Sequence, residues 1–406
     1  MNILRKQIQK INRPAKLRFI VSSGTSATSR AASAAKVVGA ETVELSNSSV
    51  AIIKDGEIVV VSKKPIYIVD DNANELFKDT AFTSIDLRNV DTSKMTSARN
   101  MFCCCSATEI NLSEFNTSNV TNMDRMFLNC HIEELNLRGF NTSKVAIMEY
   151  MFKGCSANKI DVSSFDTSNV TSMSAMFARI SCDIIGLENF DTSKVEDMTL
   201  MFNEIKTDIL NLSSFRTRNV KDMWSMFESA EINNLIADRL VDRSTGHLGK
   251  MFYQAKIRHI DTSKWSCYDC AGVSEMFVGA RIDELDLRNM EAFRHNYNDS
   301  FKNIFENSKI GKIKLRNNRE CKLEYYMHFV WNRDKYKGTS FEYDEYDSEQ
   351  FRKDLFGSAY IPPAPPQRKH SDMKTLNING VTKCDRCFGN VENGKCTCCG
   401  RVVTGK

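Results

Sequence analysis

The sequence predicts an α/β solenoid, a stack of short units each holding one parallel strand and one short helix. Two observations predict it. A Met-Phe or related step recurs every 25 residues, at Phe102, Phe127, Phe152, Phe177, Phe202, Phe227, Phe252 and Phe277. Leu76-Phe77 extends the register backwards, and Ile304-Phe305 extends it forwards after a three-residue slip. A fixed period in this range marks stacked supersecondary units. Within each unit the hydrophobic spacing also changes once, from a helical to a strand-like pattern.

Val120, Met123, Met126, Phe127 and Cys130 fall at i, i+3, i+6, i+7 and i+10, which predicts the apolar stripe of a short helix. The pairs Leu135/Leu137, Ile110/Leu112 and Ile160/Val162 then form the apolar-x-apolar core of a short strand. Phe140, with its equivalents Phe115, Phe165, Phe190 and Phe215, closes the strand and is expected to stack on the next unit's ring. The following Asp/Asn-Thr-Ser, as in Asp166-Thr167-Ser168, turns the chain and is expected to offer oxygens to the next helix's free N–H groups. Ser193 and Glu196 have capping-box spacing. One unit buries too little apolar surface to offset the cost of ordering its backbone, so only stacking makes it stable.

These residues resemble the BspA-like leucine-rich repeats, known from mycoplasma lipoproteins as a repeat of unknown function, whose unit reads roughly F-D-T-S-N-V-T-N-M-x-x-M-F-x-x-C. Phe165-Asp166-Thr167-Ser168-Asn169-Val170-Thr171-Ser172-Met173 to Met176-Phe177 matches that unit almost letter for letter. The resemblance covers about residues 76–316. It implies a curved leucine-rich-repeat stack used for adhesion or protein binding, mostly on bacterial surfaces, and no enzyme activity. Arg239-Leu240-Val241-Asp242 and Asp261-Thr262-Ser263-Lys264-Trp265 depart from the pattern.

Around the solenoid, taken as 71–316, the chain divides by composition. Residues 1–40 carry eight Lys or Arg and no acid, which reads as a basic low-complexity arm that is solvated, contacts nucleic acid or an anionic surface, or acts as a transit segment. Residues 41–70 hold Ala51-Ile52-Ile53 and Ile58-Val59-Val60-Val61 around Lys54-Asp55-Gly56-Glu57, a β-hairpin suited to capping the first apolar face or to docking. Residues 317–361 are rich in Tyr, Phe and Trp with acids interleaved, read as a C-terminal cap rather than a base-stacking surface. Residues 362–381 open with Pro362-Pro363-Ala364-Pro365-Pro366, a semi-rigid linker or an SH3-type ligand.

Residues 382–406 place Cys384-x2-Cys387 eight residues ahead of Cys396-x2-Cys399. Two such pairs can close a tetrahedron of thiolates around a structural Zn2+, so this segment reads as a zinc-ribbon-like module with those four cysteines as ligands. The run Gly389 to Cys396 nearly spells a phosphate loop but has Cys396 where a hydroxyl is required. Cys105, Cys130 and Cys155 share one repeat position, later filled by Ile180, Ile205 and Ala230, and read as buried core thiols.

Candidate binding residues lie along the strands, on the expected concave side. Between the two apolar positions come Asp86, Asn111, Asn136, Asp161, Gly186, Asn211, Ile236, Asp261 and Asp286. This row is either a self-bonded Asn/Asp ladder, a ligand-binding stripe or a cation site. Two residues on, Arg138, Glu188 and others vary, which is where partner specificity would reside. The Met123, Met148, Met173, Met198 and Met223 stripe reads as core, and the Asn-x-Ser/Thr triplets as turn consensus.

The 55 basic and 51 acidic residues nearly cancel, so net charge names no partner. No apolar run reaches the roughly 18 residues of a membrane span. No metalloprotease motif or converging set of titratable groups appears, so the expected function is a non-enzymatic protein-binding scaffold. The alternative is nucleic-acid association through the basic arm and the zinc module. Thiolate chemistry and the lack of a secretory signal favour an intracellular setting.

Overall fold

The phenyl rings of the recurring step form one continuous column. From Phe77 through Phe102, Phe127, Phe152, Phe177, Phe202, Phe227, Phe252 and Phe277 to Phe305, successive centroids lie 5.1–5.8 Å apart with ring planes within 7° of parallel. A second column runs beside it, with Phe115 on Phe140 at 5.9 Å, Phe140 on Phe165 at 6.4 Å and Phe190 on Phe215 at 6.3 Å. Val, Met and Cys side chains at the repeating apolar positions pack around the first column, and Val120, Met123 and Met126 are fully buried. Cys105, Cys130 and Cys155 are buried free thiols, as expected of core positions.

In this computed structural model the described residues are 3–22, 27–46, 48–69, 73–242, 244–266, 272–288, 304–315 and 340–343, with the strand segments 375–378, 381–384, 391–392 and 395–396. The chain divides into two units, Met1–Asp347 and Ser348–Lys406.

The first unit is a solenoid of stacked parallel strands. Its strands are β6 (Ser84–Asp86), β8 (Ser106–Asn111), β9 (His131–Leu135), β10 (Lys159–Asp161), β11 (Asp183–Ile185), β12 (Lys206–Asn211), β13 (Glu231–Ile236), β14 (Lys256–Ile260), β15 (Arg281–Asp286), β16 (Lys309–Leu315) and β17 (Ser340–Tyr343). Between them β5 (Ile66–Tyr67) and β7 (Val90–Asp91) form a small pair. Registers follow the repeat, as in Ile110 opposite Leu135 and Ile232 opposite Ile257. The slip before Phe305 reappears as Ile282 opposite Ile310. β17 extends the sheet, so Ser340–Tyr343 of the expected aromatic cap is one more parallel strand. The rest of that aromatic segment lies outside the described residues.

Among the described residues the helix expected in each repeat is not there. In the coil after Val120, Met123, Arg125, Phe127 and Asn129 donate their N–H groups to Ile147, Glu149, Met151 and Lys153 of the next coil, at 2.8–3.0 Å. The intervening Met126, Leu128 and Cys130 close three-residue turns within the coil, to Met123, Arg125 and Phe127. Arg125 and Asn129 have positive φ, and the pattern recurs at Tyr150 and Gly154, Leu200 and Glu204, and Ser225 and Ser229. An α-helix would direct every N–H along its own axis. Sending alternate N–H groups across to the next coil instead pairs the turn side as well as the strand side. The three-residue spacing of the apolar stripe is the spacing of these turns.

The Asp/Asn-Thr-Ser segment likewise works between coils. Thr142 is 1% exposed; its hydroxyl donates to the Asp166 carbonyl at 2.9 Å and accepts the Asp166 N–H at 2.8 Å. Thr117 bridges Asn141, Thr167 bridges Asp191 and Thr192 bridges Arg216 in the same way. The preceding Asp or Asn does not cap a helix. Asp166 Oδ1 accepts the N–H of Ser168 at 3.0 Å, holding its own turn.

Residues 1–40, expected as a basic arm, are built into the end of the stack. α1 (Ile3–Lys10) buries Ile8, and β1 (Lys16–Val21) lies parallel between β4 (Glu57–Ser62) and β6. α2 (Ala27–Val37) follows. The alternation that allows this is Leu17 and Phe19 inward, Lys16 and Arg18 outward. The expected hairpin forms between β3 (Ser49–Lys54) and β4, turning through Asp55 and Gly56 at φ 49° and 77°, with β2 (Glu41–Ser46) outside it. Arg5, Arg13 and Arg18 pair with Glu75, Glu41 and Glu57.

Departures from the pattern are repaired locally, as at β11 and around Trp265. At β11 the pairing slips by one residue, Ile160 facing Ile184 and Asp161 facing Ile185, and Gly186 at φ 95° restores the register before Leu187. A Cβ at Gly186 would lie 2.4 Å from the Ser163 backbone, so only glycine fits. Later, Thr262 arrives five residues early against the register of Thr192. Trp265, wholly buried, stacks on Phe252 at 5.8 Å and donates its indole N–H to the Ala237 carbonyl at 2.7 Å. One indole thereby fills the place of the missing phenyl ring.

The second unit is described through two antiparallel pairs, β18 (Thr375–Ile378) with β19 (Val381–Cys384) and β20 (Val391–Glu392) with β21 (Lys395–Cys396). β18 starts inside the segment expected as linker; residues 362–374 lie outside the described residues.

Replacing Thr142 by Val should remove the partner of the Asp166 N–H and carbonyl and cost about 1–3 kcal/mol in denaturant unfolding, whereas Thr142→Ser should cost clearly less.

Candidate functional site

Each strand carries a spacing that decides which side chains reach solvent. In β9, β13 and β15 two exposed residues separate the inward Ile and Leu, as in Ile132-Glu133-Glu134-Leu135, Ile232-Asn233-Asn234-Leu235 and Ile282-Asp283-Glu284-Leu285. These exposed pairs are the most accessible part of the face. The apolar-x-x-apolar step that precedes each apolar-x-apolar step was the signal for them, and the shorter step drew attention to the Asn/Asp row instead.

That row serves the turns. Asn111, Asn136, Asp161 and Asn211 accept the N–H two residues on, from Ser113, Arg138, Ser163 and Ser213, at 3.1–3.2 Å. Asp261 does the same with Ser263 at 2.9 Å and Asp286 with Arg288 at 3.2 Å. Asp286 is 5% exposed, and its carboxylate also takes a forked contact from the Arg288 guanidinium. Of the varied positions, Arg138 is exposed and reaches Asp161 of the next coil at 3.6 Å, while Glu188 is exposed on a short 3-10 turn (Leu187–Asn189). Cys384 and Cys396 end β19 and β21; Cys387 and Cys399 lie outside the described residues.

Two shallow grooves open on the strand face. The first, about 400 Å3, is lined by Glu133, Glu134, Asn136, Arg138, Lys159 and Asp161 over Leu135 and Leu137. The second, about 430 Å3, is lined by Lys206, Lys256, Arg258 and Arg281 around Glu231. Glu231 binds Lys256 at 2.9 Å and lies 3.7 Å from Lys206, and these contacts hold its carboxyl below the usual range. Three isoleucines are exposed on this face, Ile185 on β11, Ile209 on β12 and Ile236 on β13, at 42, 56 and 38% exposure. Ile185 is outward because of the slip at β11, since a one-residue shift turns a strand's side chains over. The face is therefore mixed at β9 and β10 and mainly basic at the start of β12 to β15, with the exposed isoleucines on β11 to β13.

The family model described as Mycoplasma protein of unknown function, DUF285, matches residues 71–185 and 180–290, more than half of the chain. The chain belongs to this family. The two DUF285 copies meet at 180–185, where β11 slips. No curated protein and no solved structure matches the chain. Among the described residues no helix is long and apolar enough to cross a membrane.

The turn carboxylates of this DUF285 chain set its response to acid. The carboxyls of Asp91, Asp161, Asp166 and Asp191 are lowered first by hydrogen bonds from the hydroxyls of Ser93, Ser163, Ser168 and Ser193. Folded values below the ordinary 3.8 mean that their stabilisation is present above that pH and lost as pH falls through the folded values. The melting temperature should therefore fall on acidification below 3.8, and Asp166→Asn, which keeps the turn acceptor, should make that fall shallower.

Proposed function

We propose that the chain is a non-enzymatic scaffold that binds a protein partner along its exposed strand face. One contrast carries this reading. The Phe column, the Thr bridges and the cross-coil turns repeat, while the exposed pairs change from Glu133-Glu134 to Asn158-Lys159, Asn233-Asn234, Arg258-His259 and Asp283-Glu284. Variable side chains on a regular frame are how repeat proteins encode a partner. A mixed groove, a mainly basic groove and exposed isoleucines on one face suit an extended partner with both charged and apolar stretches. The resemblance to BspA-like leucine-rich repeats supports the same reading. So does the lowered carboxyls' dependence on turn serines or adjacent Lys and Arg rather than on one shared cleft.

Affinity capture with the full chain should recover a protein whose retention drops about tenfold when Arg258→Glu and Arg281→Glu are combined, with the melting temperature unchanged. Retention indifferent to both substitutions would overturn the reading. The basic groove favours one alternative, a nucleic acid, and steeply salt-dependent binding to RNA or DNA with no captured protein would replace the proposal by it.

The C-terminal unit adds a structural Zn2+ held by Cys384, Cys387, Cys396 and Cys399. In support, each antiparallel pair ends on a cysteine, Cys384 or Cys396, that is the first of a C-x2-C sequence. Four thiolates leave no open coordination position, so the ion would fold the module rather than catalyse, and such a site with free core thiols suits a reducing, intracellular setting. Metal analysis should give about one zinc per chain, and Cys396→Ser should remove it; a metal-free wild-type chain would sink this part.

A further inference from the structure

Cys103 and Cys104 stand apart from the cysteines of the core. Cys105 recurs as Cys130 and Cys155, but the positions of Cys103 and Cys104 are occupied in later coils by Leu128 and Asn129, Lys153 and Gly154, and Ala178 and Arg179. Nothing in the repeat requires thiols there. Cys104 is exposed, in the left-handed region at φ 56°, and its N–H is tied to the Leu128 carbonyl at 2.8 Å. Cys103 is 5% exposed, and its N–H is tied to Asn100 at 3.1 Å. With the backbone held at both residues, the two sulfurs lie 3.6 Å apart on the turn side, Cys104 exposed and Cys103 beneath it.

That separation suits one chemistry better than another. Consecutive Cα atoms across a trans peptide are about 3.8 Å apart, short of the roughly 4.4–6.8 Å of an ordinary disulfide, so direct S–S closure would be strained. A tetrahedral metal centre with sulfur bonds of about 2.3 Å places two sulfurs about 3.8 Å apart, and a pyramidal three-coordinate centre places them somewhat closer, so the 3.6 Å spacing suits both. We propose that Cys103 and Cys104 form a two-thiolate chelate for a single thiophilic centre, a trivalent organoarsenical or a soft d10 metal cation. With an arylarsonous acid, two As–S bonds form and two As–OH bonds break. Each hydroxyl leaves as water with one thiol proton, and no oxidation state changes. With a metal cation, two M–S bonds form and both thiol protons go to solvent. The Cys103 thiol is pushed up to about 12, first by burial and then by Cys104 beside it, so binding must displace its proton and should tighten as pH rises.

The test uses the full chain under reducing conditions, with phenylarsine oxide or Cd2+ in excess over all cysteine pairs. Iodoacetamide alkylation of Cys104 is read by mass spectrometry of the tryptic peptide 100–125. Either reagent should slow alkylation at least about tenfold, and Cys103→Ala should abolish that protection while leaving the unprotected rate and the melting temperature unchanged. Cys103→Ser serves if the alanine variant is unstable. Protection by the arsenical alone assigns the site to arsenic(III), and protection by Cd2+ assigns it to soft cations. Protection by neither, or protection that survives loss of Cys103, overturns the chelate.

Discussion

A single coil of this protein cannot satisfy its own backbone, and the structure follows from that. On the strand side the N–H and C=O groups point along the stack axis to neighbouring strands. On the turn side alternate N–H groups do the same, from Met123, Arg125, Phe127 and Asn129 to the next coil. At the corner the buried Thr hydroxyl bridges an N–H and a carbonyl that would otherwise be unpaired. A buried unpaired backbone group is costly, so a neighbour must lie one strand spacing away all round the coil. The phenyl columns record the same spacing in side chains.

This constraint separates frame from face. Residues that touch the neighbouring coil are held to a narrow set: Phe in the columns, Thr at the bridge, and Asn or Asp at the turn. Residues between the inward Ile and Leu of each strand touch solvent and are free to vary, which is what makes the strand face a candidate recognition surface. Where the frame is interrupted, it is repaired by a residue of unusual type. Gly186 lets β11 approach the Ser163 backbone and turns Ile185 outward, and Trp265 restores a missing ring. The exposure of Ile185 is thus a product of the slip at β11.

The existence of the stack, its period and the slip before Phe305 were legible from the chain alone, because apolar positions at a fixed interval have few other physical explanations, whereas the flanking parallel strands β1 and β17 were not. The hairpin around Asp55-Gly56 was legible for the same kind of reason, a turn chemistry flanked by β-branched runs. The turn side was not. Apolar residues three apart fit both a helix and successive three-residue turns, and hydrophobic spacing does not record where an N–H points. Arg and Lys without acids over 1–40 suggested an arm, yet the acids that pair with them, Glu41, Glu57 and Glu75, come later in the chain.

The chain by itself determined that its units must stack, which residues face the core and where the cysteine pairs lie, since those follow from composition and interval. Tertiary structure alone decided the partners. It sends the turn-side hydrogen bonds across coils, places β1 between β4 and β6, assigns the Asn/Asp row to turns, and sets the sulfurs of Cys103 and Cys104 side by side. The reason is that hydrogen bonds and charge pairs join groups far apart in sequence, and their geometry exists only once neighbouring coils have met.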